Sequence, residues 1–238
     1  MKKTTAIVFL AFFSWITSQG QESKFKFGIN LFPNYSTGII SNDGLTPPEV
    51  VASIEEREIS KPSFSALIFT EYSLKEKAFI GLGIGYQNNG ERTTKAQIYT
   101  GYDPVTGTFI SDPSFPTDAR FVYNHHNIEI PLYFRYVFGN KFFVMLGTSG
   151  IVNFSNTISS VFYYENGSKE KNTENDDLID ARRFNISANF GIGMDYLRKD
   201  RFSLFIFPYA QYGLLGISKS VNLNRNMLSI GLSTGIRI

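Results

Sequence analysis

Eight segments of this chain alternate apolar and polar residues with a period of two. The alternation is clearest from Arg182 to Leu197, where the even-numbered positions are mostly apolar and the odd-numbered ones are mostly polar or small. Because successive side chains of a β-strand point to opposite faces, each segment has one apolar and one polar face. Eight such strands of ten or more residues are typical of an outer-membrane β-barrel, which faces lipid outside and a polar lumen inside.

The connectors between these segments alternate between long and short. We predict strands at about 25–35, 63–74, 78–87, 127–138, 141–156, 182–197, 201–213 and 226–238, with short connectors near 75–77, 139–140 and 198–200. Such barrels have short periplasmic turns and long extracellular loops. The sequence therefore predicts an all-β fold, a single eight-stranded antiparallel up-and-down transmembrane barrel with both termini in the periplasm.

The apolar faces carry aromatic residues near the strand ends and aliphatic residues between them. Phe25 with Tyr35 and Phe184 with Tyr196 show the pattern. Aromatic rings at both membrane interfaces form the girdles of transmembrane barrels. A soluble lipocalin-like barrel also alternates, but it does not explain the aromatic ends. Three prolines fall inside predicted strands, where each removes a backbone donor, and we expect bulges or strand ends at these positions, which are Pro33, Pro131 and Pro208.

The N-terminal segment has the features of a secretory signal peptide. Lys2 and Lys3 precede an apolar run from Ala6 to Ile16, and small residues Ser18 and Gly20 occupy the positions that a signal peptidase reads. The run is shorter than the roughly 20 residues of a membrane-spanning helix. We therefore expect a signal peptide at 1–20, a barrel domain at 21–238 and a location in the bacterial outer membrane.

The charge balance and composition exclude several classes of function. The chain has 23 basic and 21 acidic residues, and two of the basic ones are Lys2 and Lys3 of the predicted signal peptide. No basic stripe suggests nucleic-acid binding. The chain has no cysteine and two histidines, which leaves little material for a metal or thiol site. We expect no cofactor, no metal and no nucleic-acid partner.

The polar faces of the predicted strands contain three cationic and three anionic residues. The interior of an eight-stranded barrel is only wide enough for its own side chains, and buried charges must be paired. We predict a structural ion-pair network in the lumen; the alternative is a narrow ion path or proton relay. The predicted network consists of Lys26, Glu71, Glu129, Arg135, Asp195 and Arg237.

Two neighbouring histidines, His125 and His126, lie just before the fourth strand. Some eight-stranded outer-membrane enzymes modify lipids with a histidine and a serine near the rim. Here no serine follows at alternating spacing, and adjacent residues of a strand point to opposite faces. Because a catalytic site requires converging groups, we expect a non-enzymatic protein with no catalytic residue.

The second long connector is rich in aromatic residues and contains a turn at Asp103–Gly107, which predicts a hairpin over Ala96–Ile110. A second hairpin is predicted where Val161–Tyr164 precedes Asn166–Gly167. Exposed aromatic side chains on ordered loops favour a contact surface for protein or glycan; the alternative is that they pack together and cap the barrel. The candidate contact residues are Tyr99, Tyr102, Phe109 and Phe115.

The segment Ile128–Tyr136, followed by Phe138–Val144 and Gly147, resembles the central hairpin of PorT-like outer-membrane β-barrel proteins. The resemblance implies a porin-family barrel without catalytic residues, and one branch of that family takes part in type IX secretion and gliding. We expect a structural or surface-interaction protein that contacts outer-membrane lipid and lipopolysaccharide. The alternatives are a component of a secretion or transport assembly, with a protein partner in the envelope, and a small-solute porin.

Overall fold

The computed structural model of this protein describes residues 24–42, 44, 46–99, 101–103, 105–110, 112, 114–176, 181–199, 201–218 and 223–238. The predicted signal peptide, at positions 1–20, lies outside the described residues. The described elements are β1 (Phe25–Asn42), helix α1 (Pro48–Arg57), β2 (Glu58–Lys75), β3 (Ala78–Asn89), β4 (Glu91–Thr93), β5 (Ala96–Gln97), β6 (Gly101–Asp103), β7 (Thr108–Ile110), β8 (Asp118–Phe138), β9 (Phe142–Tyr163), β10 (Lys169–Asn175), β11 (Phe184–Arg198), β12 (Ser203–Gly213) and β13 (Leu223–Arg237).

Eight long antiparallel strands close into a ring within the described part of the chain. Each long strand pairs with its neighbours in the order β1, β2, β3, β8, β9, β11, β12 and β13, and β13 returns to β1, with Gly28 opposite Arg237. Ring closure gives every strand two hydrogen-bonded partners and removes exposed edges, as a hydrocarbon environment requires. The predicted eight-stranded barrel is confirmed.

The predicted apolar face forms the outside of the ring. Leu82 and Leu132, which are opposite each other on β3 and β8, are 51% and 47% exposed, whereas Phe143 and Phe205 on the other parity are almost completely buried. Aromatic rings also meet between neighbouring strand ends; the centroids of Phe25 and Tyr72, for example, are 5.0 Å apart. The barrel is therefore apolar on the outside, as a lipid-facing surface must be.

Strands β1, β2, β8 and β9 are longer than predicted, and most of their extra length lies at one end of the barrel. The tight connections after β2, β8 and β11 lie at the opposite end, which we call the short-turn end; the other is the long-loop end. Strand β8 has 21 residues. Its partner β9 is one residue longer. Both are about twice as long as a strand that crosses a bilayer needs to be. Their outer halves exceed that length, and the alternation of buried and exposed positions stops there before the strands do.

A helix and several short strands lie at the long-loop end. Helix α1 was not predicted; it begins at a proline in its first turn, a favourable position for that residue. The hairpin predicted over Ala96–Ile110 is shorter than expected, because β6 pairs with β7 while β5 pairs with β8. The second predicted hairpin is present, with β9 paired to β10 around Gly167, whose positive φ suits glycine. No helix among the described residues is long and apolar enough to cross a membrane.

The expectation of bulges or strand ends at the prolines is wrong. Register shifts among the described strands lie elsewhere, at Ser73/Lys75, His126/Asn127 and Asp195/Leu197. Each proline keeps a regular partner on one neighbouring strand and lacks one on the other: Pro131 pairs with Ser149 of β9 but has no partner on β3. Because a strand residue directs its N–H to one side only, losing that donor interrupts one ladder and leaves the other intact.

Candidate functional site

The lumen near the short-turn end holds a cluster of charged residues from four strands. Arg135 of β8 donates two hydrogen bonds to Glu71 of β2, from Nε to Oε1 at 2.9 Å and from Nη2 to Oε2 at 2.6 Å. Arg237 of β13 donates from Nη1 to Asp195 Oδ1 at 2.8 Å. Its Nε lies 3.1 Å from Glu71 Oε2, an ionic contact without hydrogen-bond geometry. The Arg135–Glu71 pair is bidentate, the strongest geometry for these groups.

A fifth residue joins the cluster from its exposed side. Arg198, at the end of β11, donates from Nη2 to Asp195 Oδ2 at 2.6 Å, and its side chain is 51% exposed. We call Glu71, Arg135, Asp195, Arg198 and Arg237 the lumen ion cluster. Arg198 was missed in the sequence because it follows the register shift at Asp195/Leu197, which moves it to the lumen side of the strand end.

Aromatic rings complete the surroundings of the two buried arginines. The guanidinium of Arg135 lies 4.1 Å from the centroid of Phe79, and that of Arg237 lies 4.4 Å from the centroid of Phe205. Such cation–π contacts stabilise a desolvated guanidinium beyond its hydrogen bonds. Phe207 lies directly beside Gly193. A Cβ atom added to Gly193 would lie 2.1 Å from the Cβ of Phe207, so a larger residue does not fit there.

Two of the six predicted network residues do not belong to the cluster. Lys26 is the second residue of β1, at the mouth of the barrel; its side chain is exposed, and its Nζ lies 5.4 Å from the centroid of Phe79. Because the side chain is exposed to solvent at the mouth, its ammonium group does not require a buried partner. Glu129 precedes Arg135 by three inward-facing positions along β8. That separation is about 20 Å at the rise of a strand, and Glu129 therefore lies at another depth.

Glu129 instead belongs to a neutral layer of hydroxyl and amide groups. Its Oε1 accepts hydrogen bonds from Ser149 Oγ and from Gln211 Nε2, both at 2.7 Å. Gln211 also contacts Gln87, and Asn189 donates to Ser149 at 2.6 Å. These donors satisfy the buried carboxyl group without a cation. Cavities of about 40 Å³ beside this layer and about 30 Å³ between it and the cluster have room for only a few water molecules.

The two histidines face opposite sides of β8, as predicted. His125 points into the lumen and contacts Asn156 Oδ1 at 2.8 Å, whereas His126 points outward and contacts the Tyr86 hydroxyl at 2.6 Å. The described residues contain no group of three or more His, Cys, Asp or Glu side chains that could hold a metal ion.

A second ionic cluster, not predicted from the sequence, lies at the long-loop end. Arg225 donates to both carboxylate oxygens of Glu58, at 2.6 and 3.2 Å, and its Nε lies 3.6 Å from Glu91 Oε1. Glu91 begins β4 and is 4% exposed. Burial raises the pKa of Glu91 to about 7, and the carboxylate of Glu58 adds to this, while Arg225 and Lys61 oppose it. These residues fall in or beside predicted connectors, where no periodicity assigns a face.

The predicted aromatic contact residues lie beyond the ring. Tyr99 and Phe115 are each 53% exposed. Tyr102 and Phe109 are opposite each other in the β6–β7 hairpin, and their side chains lie outside what the structure describes.

The chain is similar to known proteins in its family profile and in its fold. Residues 17–226 match the profile of a family described as outer membrane protein beta-barrel domain. No curated protein sequence matches the chain.

Similar solved structures include Neisserial surface protein A (10% identity, TM-score 0.40, covering 91% of this chain and 97% of that one). They also include Ail, the attachment invasion locus protein of Yersinia pestis (9%, 0.37, 90% and 98%), and a major outer membrane protein from Thermus thermophilus (11%, 0.39, 90% and 98%). At these values no residue or activity is carried over to this chain.

Removal of the carboxylate at the centre of the lumen ion cluster should strongly destabilise the barrel. Glu71→Ala leaves Arg135 and Arg237 buried without the carboxylate that they share. Such a loss typically lowers the free energy of unfolding by about 3–5 kcal/mol. The measurement is urea unfolding of the refolded protein in lipid vesicles.

The matched control is Glu76→Ala, which removes an exposed carboxylate of the adjacent turn. A surface substitution of this kind should change the free energy of unfolding by only about 0.5 kcal/mol or less. Equal effects of the two substitutions would contradict the assignment.

The buried carboxyl group of Glu91 should make stability depend on pH. Below pH 4.5, the ordinary pKa, it is protonated in both states; between 4.5 and about 7 it ionises in the unfolded chain only, so stability falls as pH rises. The loss between pH 4.5 and pH 8 should reach at most about 3 kcal/mol. Urea unfolding at both pH values gives the difference in the free energy of unfolding. This difference should be smaller in Glu91→Gln than in the wild type, and it should be unchanged in the control Glu174→Gln, at an exposed residue of β10. An unchanged difference in Glu91→Gln would refute this prediction.

Proposed function

Because the chain belongs to the outer membrane protein β-barrel domain family, we propose that it is a non-enzymatic outer-membrane protein that makes contacts at the cell surface through its long-loop end. In this proposal the short-turn end faces the periplasm, since periplasmic turns are short in such barrels. Outer-membrane lipid and lipopolysaccharide surround the apolar outer surface.

The projecting strands are the observation that carries this proposal. Strands β8 and β9 stay paired from Phe138 opposite Phe142 up to Asp118 opposite Tyr163, and β10 and β5 widen the same sheet. A paired sheet holds loops more rigidly than free chain does, which lowers the entropic cost of binding. Tyr99 and Phe115, both exposed, lie in the connector next to this sheet and supply apolar contact area.

A lumen that does not conduct is the second part of the proposal. The lumen ion cluster packs against the rings of Phe143 and Phe205, and Phe207 and the layer around Glu129 fill the ring farther from the short-turn end. The cavities beside and below the Glu129 layer measure about 40 and 30 Å³. Conduction would require breaking buried ion pairs along a continuous path. A role as a small-solute porin is therefore disfavoured.

The absence of enzymatic activity is supported by the geometry of the rim. His125 and His126 are held by different partners on opposite sides of β8, so they do not converge on one reacting atom. A second candidate function is that of a component of a PorT-like secretion or transport assembly, in which the basic side chains around the short-turn end would contact a protein partner.

The proposed orientation and surface role can be tested in intact cells. Because the chain has no cysteine, single cysteines report location without background. Val105→Cys, at a position 91% exposed in the second long connector, should react with a membrane-impermeant maleimide, whereas Lys77→Cys in a short turn should react only after permeabilisation. A photo-crosslinking amino acid at Tyr99 or Phe115 should give discrete adducts that the lipid-facing control position Leu82 does not give.

Two outcomes would overturn different parts of the proposal. Labelling of Lys77→Cys in intact cells would invert the orientation. Absence of adducts at both aromatic positions, with correct orientation, would refute the role in surface contact.

A further inference from the structure

The short-turn end of the barrel opens into a basic vestibule. A cavity of about 530 Å³ lies there, within the usual range of ligand pockets. Its floor is the exposed side of the lumen ion cluster, and its walls include Lys26, Lys199 and Arg201 together with the apolar side chains of Phe79 and Phe202.

Cations outnumber anions in this vestibule. The floor cluster contains three guanidinium groups and two carboxylates, so it retains one positive charge after internal pairing. Lys26, Lys199 and Arg201 add three more, and Glu76 is the other acidic residue of the lining. Asp200, which lies between Lys199 and Arg201 in the sequence, adds one further acidic residue. The surrounding turns add three further cations, which are Lys75, Lys77 and Lys141.

Part of this charge is available to a ligand. Arg198 uses Nη2 on Asp195, and its side chain is half exposed, which leaves other donors at the surface. Lys26 is exposed and contacts the ring of Phe79; among the described residues no ion pair engages it. Lys199 lies over the ring of Phe202 at 5.9 Å. Each of these three cations thus lies against an aromatic ring or a buried carboxylate, and each side chain is exposed to solvent.

We propose that this vestibule binds an acidic segment of another protein, with carboxylates on its basic rim and apolar side chains against Phe79 and Phe202. Guanidinium groups match carboxylates in geometry, and concave sites lined by one sign of charge attract ligands of the other sign. The apolar walls favour a peptide that mixes acidic and apolar residues over a purely polar glycan. With the orientation proposed above, the partner is periplasmic, and this inference rests on that orientation.

The test uses the purified, refolded barrel and a fluorescein-labelled six-residue peptide of alternating Glu and Phe. Fluorescence anisotropy should show saturable binding that weakens as salt increases, and a Lys/Phe peptide should not bind. The triple variant Lys26→Gln/Lys199→Gln/Arg201→Gln leaves the four buried members of the cluster and Arg198 intact and should weaken binding about tenfold. The matched control Lys95→Gln/Lys169→Gln/Lys171→Gln removes three exposed cations at the long-loop end and should bind as the wild type does.

Several results would overturn the proposal. Absence of binding, or equal weakening in the two triple variants, would show that the vestibule is not the site. Peptidoglycan sacculi or phosphatidylglycerol vesicles could also displace the labelled peptide. If they do so at a lower concentration of negative charge than an unlabelled acidic peptide, the ligand is a glycan or a lipid and not a protein. Binding in vitro together with labelling of Lys77→Cys in intact cells would leave a site but exclude a periplasmic partner.

Discussion

The need to pair every backbone donor and acceptor within hydrocarbon determines the rest of this structure. A sheet meets that need only when it closes on itself, and here the closing contact is the pairing of the first and last strands. A ring of eight strands has an interior little wider than its own side chains. Every inward-facing residue must therefore find space inside the ring, and every polar one must also find polar partners there. The close approach of Phe207 to Gly193 shows how tight that space is.

The charges of the lumen follow from this constraint. Buried ion pairs rarely stabilise a fold relative to apolar residues, yet removing one member is costly, since the other remains buried and unpaired. The cluster around Glu71 meets the requirement with bidentate geometry and aromatic neighbours. Glu129 meets it with neutral donors. The charged groups of the cluster thus satisfy one another inside the ring, and the proposed contacts with other molecules lie at the two ends.

Much of the fold could be predicted from the sequence because the lipid bilayer imposes a period of two. Side-chain parity identified the outer face and the lumen-facing charges, and connector length separated the two ends. Depth along the barrel could not be predicted as well, since it depends on strand register. Lys26 and Glu129 have the predicted parity, but one lies at the mouth and the other about 20 Å along its strand from Arg135. Features outside the bilayer were the hardest to predict, because lipid imposes no alternation on the projecting strands. Arg198 was missed because a bulge reverses parity near the end of its strand.

The central claim is that contacts at the two ends, and not passage through the lumen, define what this protein does. Single-channel recording of the purified barrel in a planar lipid bilayer tests that claim most directly. The account predicts no stable openings from the wild type. Stable, large openings of the wild-type protein would contradict it.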